Sequence, residues 1–235
     1  MRYPMSEFGL VAPLMAAMIA ASAPAMSAPP NPGVFGPQAK PFGATYGEWS
    51  ALWWNWAVSE RAANSPVVHA ATPDECKVGQ IGPVWFLAGP SNANEQRFCR
   101  IPAGKAILFP IINAEQSAGE GDCPLSNTPR GSSPRALRAC AVGLMDLVTQ
   151  LQASIDGVPV QALRRFRFES PLFRLTGVAG NYTGSVQPGT FNAVADGFFV
   201  LVKPLSPGQH TIHFRGAAAS LGFHTEATYH ITVAQ

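Results

Sequence analysis

The segment that follows Ala44 has the hydrophobic spacing of an amphipathic helix. Thr45 is followed three residues later by Glu48, the pairing of a capping box, and Pro66 lies just after the polar stretch that ends the pattern. One face of this helix carries five large side chains, which are Tyr46, Trp49, Leu52, Trp53 and Trp56. We therefore predict a helix that begins after Thr45 and buries this stripe in the core.

Trp54 lies away from that stripe, near Ala51, Val58 and Arg61 on the helical projection. A tryptophan outside the buried face can stack on a sugar or another flat ligand. The more ordinary interpretation is burial beneath a loop, because large aromatic side chains are mostly covered in folded domains. Trp54 is the candidate ligand-binding residue of this helix.

From about Pro83 the pattern becomes extended, with short runs rich in β-branched and aromatic residues: "PVWFLAG", "EQRFCRI" and "KAILFPII". A Pro-Ala-Gly turn at residues 102–104 predicts a hairpin between the second run and the third. Pro110 predicts an edge strand or a bulge, because proline cannot donate to the ladder. The polar residues 113–133 are predicted to form a long loop.

A second helix is predicted to begin with Ser133 as its cap and Pro134 at its first position, and to end near Val148. Beyond it, alternating residues flank an Asp156-Gly157 turn and predict a strand pair. The last forty residues contain "GFFVLVKPL", "QHTIHFRG" and "FHTEATYHITV", separated by Gly and Pro turns. The predicted fold class is mainly β (α+β), an antiparallel β-sandwich with an N-terminal Trp-rich helix and one further helix.

The N-terminal residues have the pattern of a secretory signal peptide. Arg2 precedes the apolar run "GLVAPLMAAMIAA", and small residues follow it. Cleavage after Ser27 fits best, with cuts after Ala23, Ala25 or Ala28 as alternatives. No later run reaches the roughly 18 apolar residues of a membrane span. We predict a soluble, secreted protein, periplasmic or extracellular, with a signal peptide at 1–27, a Pro-rich leader at 28–43 and a single domain at 44–235.

Four cysteines in an exported chain predict two disulfides, because an oxidising compartment favours them. Four cysteines allow three pairings, and the spacing favours Cys76 with Cys99 and Cys123 with Cys140. The alternative is metal binding, which needs close pairs such as C-x-x-C, and the sequence contains none.

Five stretches together resemble a family of exported bacterial proteins, uncharacterised, to which we attach no activity. They are "YGEWSALWWNWAVS", "GQIGPVWFLAG", "CRIPAGKAILFPIIN", "IDGVPV" and "DGFFVLVKPLSPGQHTIHFRG". The resemblance extends from about Tyr46 to Val233. It implies export and a single domain, and it implies no catalytic residue.

The charge and the motifs narrow the range of functions. A formal net charge of +2 without basic runs argues against a nucleic-acid partner. The sequence has no G-x-S-x-G, P-loop, H-E-x-x-H, C-x-x-C-H or dinucleotide motif, which lowers the expectation of an enzyme. Two carboxylates at a suitable separation would still serve a glycosidase, and sequence spacing does not reveal such pairs.

Two groups of residues have the chemistry of metal sites. Asn113, Glu115, Glu120 and Asp122 supply the oxygen ligands that calcium requires, although a solvated acidic loop is the ordinary interpretation. His224, Glu226 and His230 share one face of the last predicted strand, where zinc or copper ligation competes with an ordinary outward face.

Two functions follow from these patterns. The first is non-catalytic binding of a small molecule, a glycan or an envelope component. The alternative is a hydrolase or lyase that uses carboxylates, with calcium held by the loop from Asn113 to Asp122 as a candidate cofactor.

Overall fold

The structure is a computed structural model that describes Met1 and residues 32–234. The predicted signal peptide therefore lies outside the described residues, apart from Met1, and so does the start of the leader. Among the described residues, no helix is long and apolar enough to cross a membrane.

The described residues form three α-helices and ten strands. The helices are α1 (Tyr46–Ala57), α2 (Pro73–Cys76) and α3 (Pro134–Asp146). The strands are β1 (Val84–Phe86), β2 (Asn94–Ile101), β3 (Ala106–Ser117), β4 (Gln150–Ile155), β5 (Val158–Pro159), β6 (Arg167–Glu169), β7 (Phe173–Gly177), β8 (Gly189–Val202), β9 (Gly208–Ala218) and β10 (Phe223–Val233). This mainly β composition confirms the predicted fold class.

Two five-stranded sheets pack as a sandwich. The first has the order β1-β3-β8-β6, with β7 also paired to β8, and the second has the order β2-β10-β9-β4-β5. Phe109 of β3 stacks on Phe214 of β9 with ring centroids 4.9 Å apart, so these rings lie between the sheets. On the opposite face of the first sheet, Phe199 of β8 contacts Trp53 of α1 at 6.3 Å. Helix α1 therefore covers the outer face of the first sheet.

The pairing of the strands differs from the prediction at two places. The turn at residues 102–104 does not close a hairpin, because β2 pairs in parallel with β10 while β3 pairs with β1 and β8 in the other sheet. The chain thus crosses between the sheets there. The parallel pairs β1–β3 and β2–β10 make both sheets mixed rather than purely antiparallel. The periodicity of a sequence does not show which strands pair, so it predicted neither the crossing between the sheets nor the parallel pairs.

Strand β3 also differs from the prediction. It lies between β1 and β8, and its pairing with β8 shifts register between Pro110 and Ile112. Proline thus marks a bulge, one of the two predicted outcomes, and not an edge. The strand continues to Ser117, so Asn113 and Glu115 belong to a strand and not to the predicted loop.

The two predicted helix starts are confirmed. Thr45 and Glu48 form the capping box of α1, and Ser133 caps α3 through the Ala136 amide. Helix α1 ends at Ala57, several residues before Pro66. The predicted burial of the stripe is wrong at Leu52, which is 48% exposed, and is confirmed for the four aromatic residues.

Two disulfides and one backbone hydrogen bond of the leader join segments of the domain that are apart in the chain. Cys76 is bonded to Cys99 and Cys123 to Cys140, as predicted, and this bonding fits an oxidising compartment. The leader lies on the domain, since the Phe35 amide donates to the carbonyl of Leu201 at 2.9 Å.

Candidate functional site

A cavity of about 280 Å³ lies beside α1 and is lined by residues of both sheets and of the segments that join them. Its walls come from α1, the segment 89–91 after β1, the bulged part of β3, the loop residues 182–183 and the start of β10. The lining is aromatic, aliphatic, amide and hydroxyl, and none of the described residues that line it is Asp, Glu, Lys, Arg or His. The cavity therefore favours an uncharged occupant.

Helix α1 contributes two adjacent tryptophans to this cavity. The indole of Trp53 donates to the carbonyl of Leu87 at 2.8 Å, which fixes the ring. Trp54 stands perpendicular to it, with ring centroids 5.1 Å apart, and is only 6% exposed. The buried Trp54 Nε1 has no hydrogen-bond partner among the described residues. Trp54 is thus covered, as the ordinary interpretation expected, and it lines a cavity while retaining an unused donor.

The bulge in β3 determines which side chains reach the cavity. Asn113 pairs with Gly197, and Pro110 pairs with Phe199. Opposed residues share a face and faces alternate along a strand, so the extra residue places Pro110 and Asn113 on the same side. Without the bulge they would lie on opposite sides. Gly197 leaves room for Asn113, because a Cβ there would lie 2.5 Å from the Asn113 Cβ. The buried Asn113 Nδ2 has no partner in the described chain.

Thr225 contributes a third buried polar atom from the start of β10. Its Oγ1 has no partner among the residues the structure describes, and its side chain lies against Gly89. A Cβ at Gly89 would collide with that hydroxyl, so glycine is required for this approach. Buried polar groups are normally paired, and an exception calls for an explanation. Here three such exceptions, Trp54, Asn113 and Thr225, line one cavity.

A pair of carboxyl groups lies near one wall of the cavity. Burial raises the pKa of Glu115 well above its usual range, and the charge and hydrogen bond of Glu120 raise it further. Glu120 accepts from the Ser117 amide at 2.9 Å and from the Ser185 hydroxyl at 2.7 Å. Burial and both carboxyl groups also raise the pKa of Tyr182, a cavity residue. Glu115 therefore holds its proton more tightly than an exposed glutamate does.

The four predicted calcium ligands are not brought together. Asn113 lines the cavity, Glu115 and Glu120 contact each other, and Asp122 pairs with Arg130 at 3.3 Å on the surface. Within residues 32–234, no group of three or more His, Cys, Asp or Glu side chains could hold a metal ion.

The histidines of β10 lie on an ordinary outward face. His230 is exposed and its Nε2 lies 2.7 Å from Gln96 Oε1. Glu226 contacts His213 of β9 at 3.1 Å. His224 is also exposed, and the alternate residues of the strand face the core.

Comparisons with known proteins add little. No protein-family model matches the sequence, and neither does any curated protein. Among solved structures, the chain shows a likeness to the structure of PbICP-C in complex with falcipain-2, at 13% identity and a TM-score of 0.23. That likeness covers 65% of this chain and 99% of the other.

Sequence reasoning identified Trp54 and Asn113 as candidates but did not join them. It missed Thr225 and Gly89, which come from segments far apart in the chain. Thr225 lies on the inward face of β10, where the strand pattern gives no sign of an unpaired hydroxyl, and Gly89 has no side-chain chemistry of its own. No sequence pattern reports an unpartnered polar atom.

Proposed function

We propose that this is an exported, non-catalytic binding protein whose cavity beside α1 holds a small uncharged ligand. The supporting observation is the set of three buried, unpartnered polar atoms on residues that line the cavity: Trp54 Nε1, Asn113 Nδ2 and Thr225 Oγ1. An unmade buried hydrogen bond costs about 1 to 3 kcal/mol, so a ligand that supplies the partners recovers that free energy.

The size and composition of the cavity suit a ligand about as large as a monosaccharide. Its volume of about 280 Å³ is near the lower end of small-molecule sites. Trp53 and Trp54 supply apolar ring surface beside the polar atoms, a combination that recognises sugar rings and other flat polar molecules. A glycan or a small envelope component has this chemistry.

The alternative function, a carboxylate-dependent hydrolase or lyase, is less well supported. Glycosidase carboxyl pairs are separated by about 5 to 9.5 Å, which leaves room for the sugar and water. Glu115 and Glu120 are in hydrogen-bond contact, and neither is among the residues that line the cavity. Export remains part of the proposal, supported by the N-terminal pattern and the two disulfides.

Indole resonances in ¹H–¹⁵N NMR test this function directly. The signal of Trp54, assigned with Trp54→Phe, is expected to shift when glucose, glycerol or N-methylacetamide is added in the millimolar range. A probe at about ten times its Kd should also stabilise the fold by about 1.4 kcal/mol. Asn113→Leu keeps a similar shape but lacks the amide donor, and it should weaken the response. If none of the three probes moves the Trp54 signal or the melting temperature, the proposed function is overturned.

A further inference from the structure

A second cavity continues the first. It has a volume of about 250 Å³ and shares four lining residues with it, which are Val67, Pro90, Ser91 and Tyr182. Its other lining residues include Glu95 and Arg97. The two cavities therefore adjoin across these shared residues. We call the uncharged first cavity the inner part and the second, which carries the Glu95 carboxylate and the Arg97 guanidinium, the outer part.

Glu95 is held in place by a buried arginine. Its Oε2 accepts from Arg97 Nε at 2.9 Å and lies 2.8 Å from Arg97 Nη2. Arg97 is itself fully buried and donates to the carbonyls of Val67 and Ala88 at 2.9 and 3.0 Å. The side chain of Glu95 is 39% exposed, and both of its contacts with Arg97 are made by Oε2, which leaves Oε1 outside this pair. The outer part thus offers a fixed, open acceptor.

The inner part offers the complementary groups. Trp54 Nε1 and Asn113 Nδ2 can only donate, whereas the Thr225 hydroxyl can donate or accept. An acetamido group matches this set, because its carbonyl accepts two hydrogen bonds and its N–H donates one. Its methyl group would meet the aliphatic side chains of Ile111 and Ile112. A carboxylate ligand lacks the N–H and would bring an uncompensated charge into an uncharged cavity.

We infer that the ligand is an N-acetylated amino sugar with at least two units. Its acetamido group would occupy the inner cavity, and the hydroxyls of the next unit would donate to Glu95. This inference rests on the binding function proposed above and names its ligand class.

Calorimetry with three sugars tests the inference: glucose, N-acetylglucosamine and N,N′-diacetylchitobiose. N-acetylglucosamine should bind at least about tenfold more tightly than glucose, the equivalent of one or two hydrogen bonds. The disaccharide should bind about tenfold more tightly again. Asn113→Asp, which loses the amide donor, should remove the preference for the acetylated monosaccharide over glucose.

Glu95→Gln tests the outer part. It should remove the gain of the disaccharide over N-acetylglucosamine, and its melting temperature shows whether the variant is folded. Glu60→Gln is the matched control, because Glu60 lines neither cavity, and it should bind all three sugars as the wild type does.

Three results would overturn the inference. Equal affinities for glucose and N-acetylglucosamine would overturn the acetamido assignment. If Glu95→Gln still binds the disaccharide about tenfold more tightly than N-acetylglucosamine, the role assigned to Glu95 in the outer part is overturned. If no sugar binds while N-methylacetamide or glycerol shifts the Trp54 indole signal, the ligand class is wrong and the binding function stands.

Discussion

The indole N–H of Trp53 donates to the carbonyl of Leu87 at 2.8 Å and ties helix α1 to the residue that follows β1. Trp53 is 2% exposed and contacts Phe199 of β8, so one side chain joins the helix to β8 and to the residue after β1. The wall of the cavity depends on this attachment, because Trp54 follows directly.

Trp53→Ala should lower the free energy of unfolding by about 3 to 5 kcal/mol, since it removes a large buried ring and leaves a cavity. Leu52→Ala in the same helix should cost less than about 0.5 kcal/mol, because Leu52 is about half exposed. Urea unfolding of both variants measures the two losses. Equal losses would contradict the packing described here.

Glu115 should make stability depend on pH. Its pKa is raised in the folded state above the unfolded value of about 4.3, so the folded protein binds the proton more tightly. The stabilisation is fully present below about pH 4.3 and is lost as pH rises through the folded pKa. In Glu115→Gln, the amide stays neutral and can still donate to Glu120.

The difference in urea midpoint between the wild type and Glu115→Gln, measured from pH 4 to pH 9, tests this prediction. The urea midpoint of the variant should rise relative to that of the wild type as pH rises. A constant difference across the range would mean that Glu115 titrates normally.

Local chemistry explains how much of the fold the sequence predicted. The capping box at Thr45, the cap at Ser133 and the Asp156-Gly157 turn act over a few residues, and the structure has all three where predicted. The cysteine spacing also gave the bonded pairs. These features depend on neighbours in the chain, which the sequence displays.

The predictions that were wrong concern contacts between residues that lie far apart in the chain. The β2–β3 hairpin was wrong because β10, more than a hundred residues later, takes β2 as its partner. The candidate site behaves in the same way. Asn113 has the oxygen chemistry of a calcium ligand, but after the register shift between Pro110 and Ile112 it lines the same cavity as Trp54 and Thr225. No local sequence pattern predicts that these three residues line one cavity.

The central claim is that the unpartnered polar atoms serve a ligand and not the fold, and Thr225→Val tests it most directly. Valine keeps the shape and removes the buried hydroxyl, so in the unliganded protein it also removes an uncompensated desolvation cost. Thr228→Val, on the outward face of the same strand, is the matched control.

The decisive measurement is the free energy of unfolding of Thr225→Val together with its affinity for N-methylacetamide. We predict unchanged or higher stability, by up to about 1 kcal/mol, with binding weakened about tenfold. A loss of more than about 1 kcal/mol in stability with unchanged binding would contradict the account.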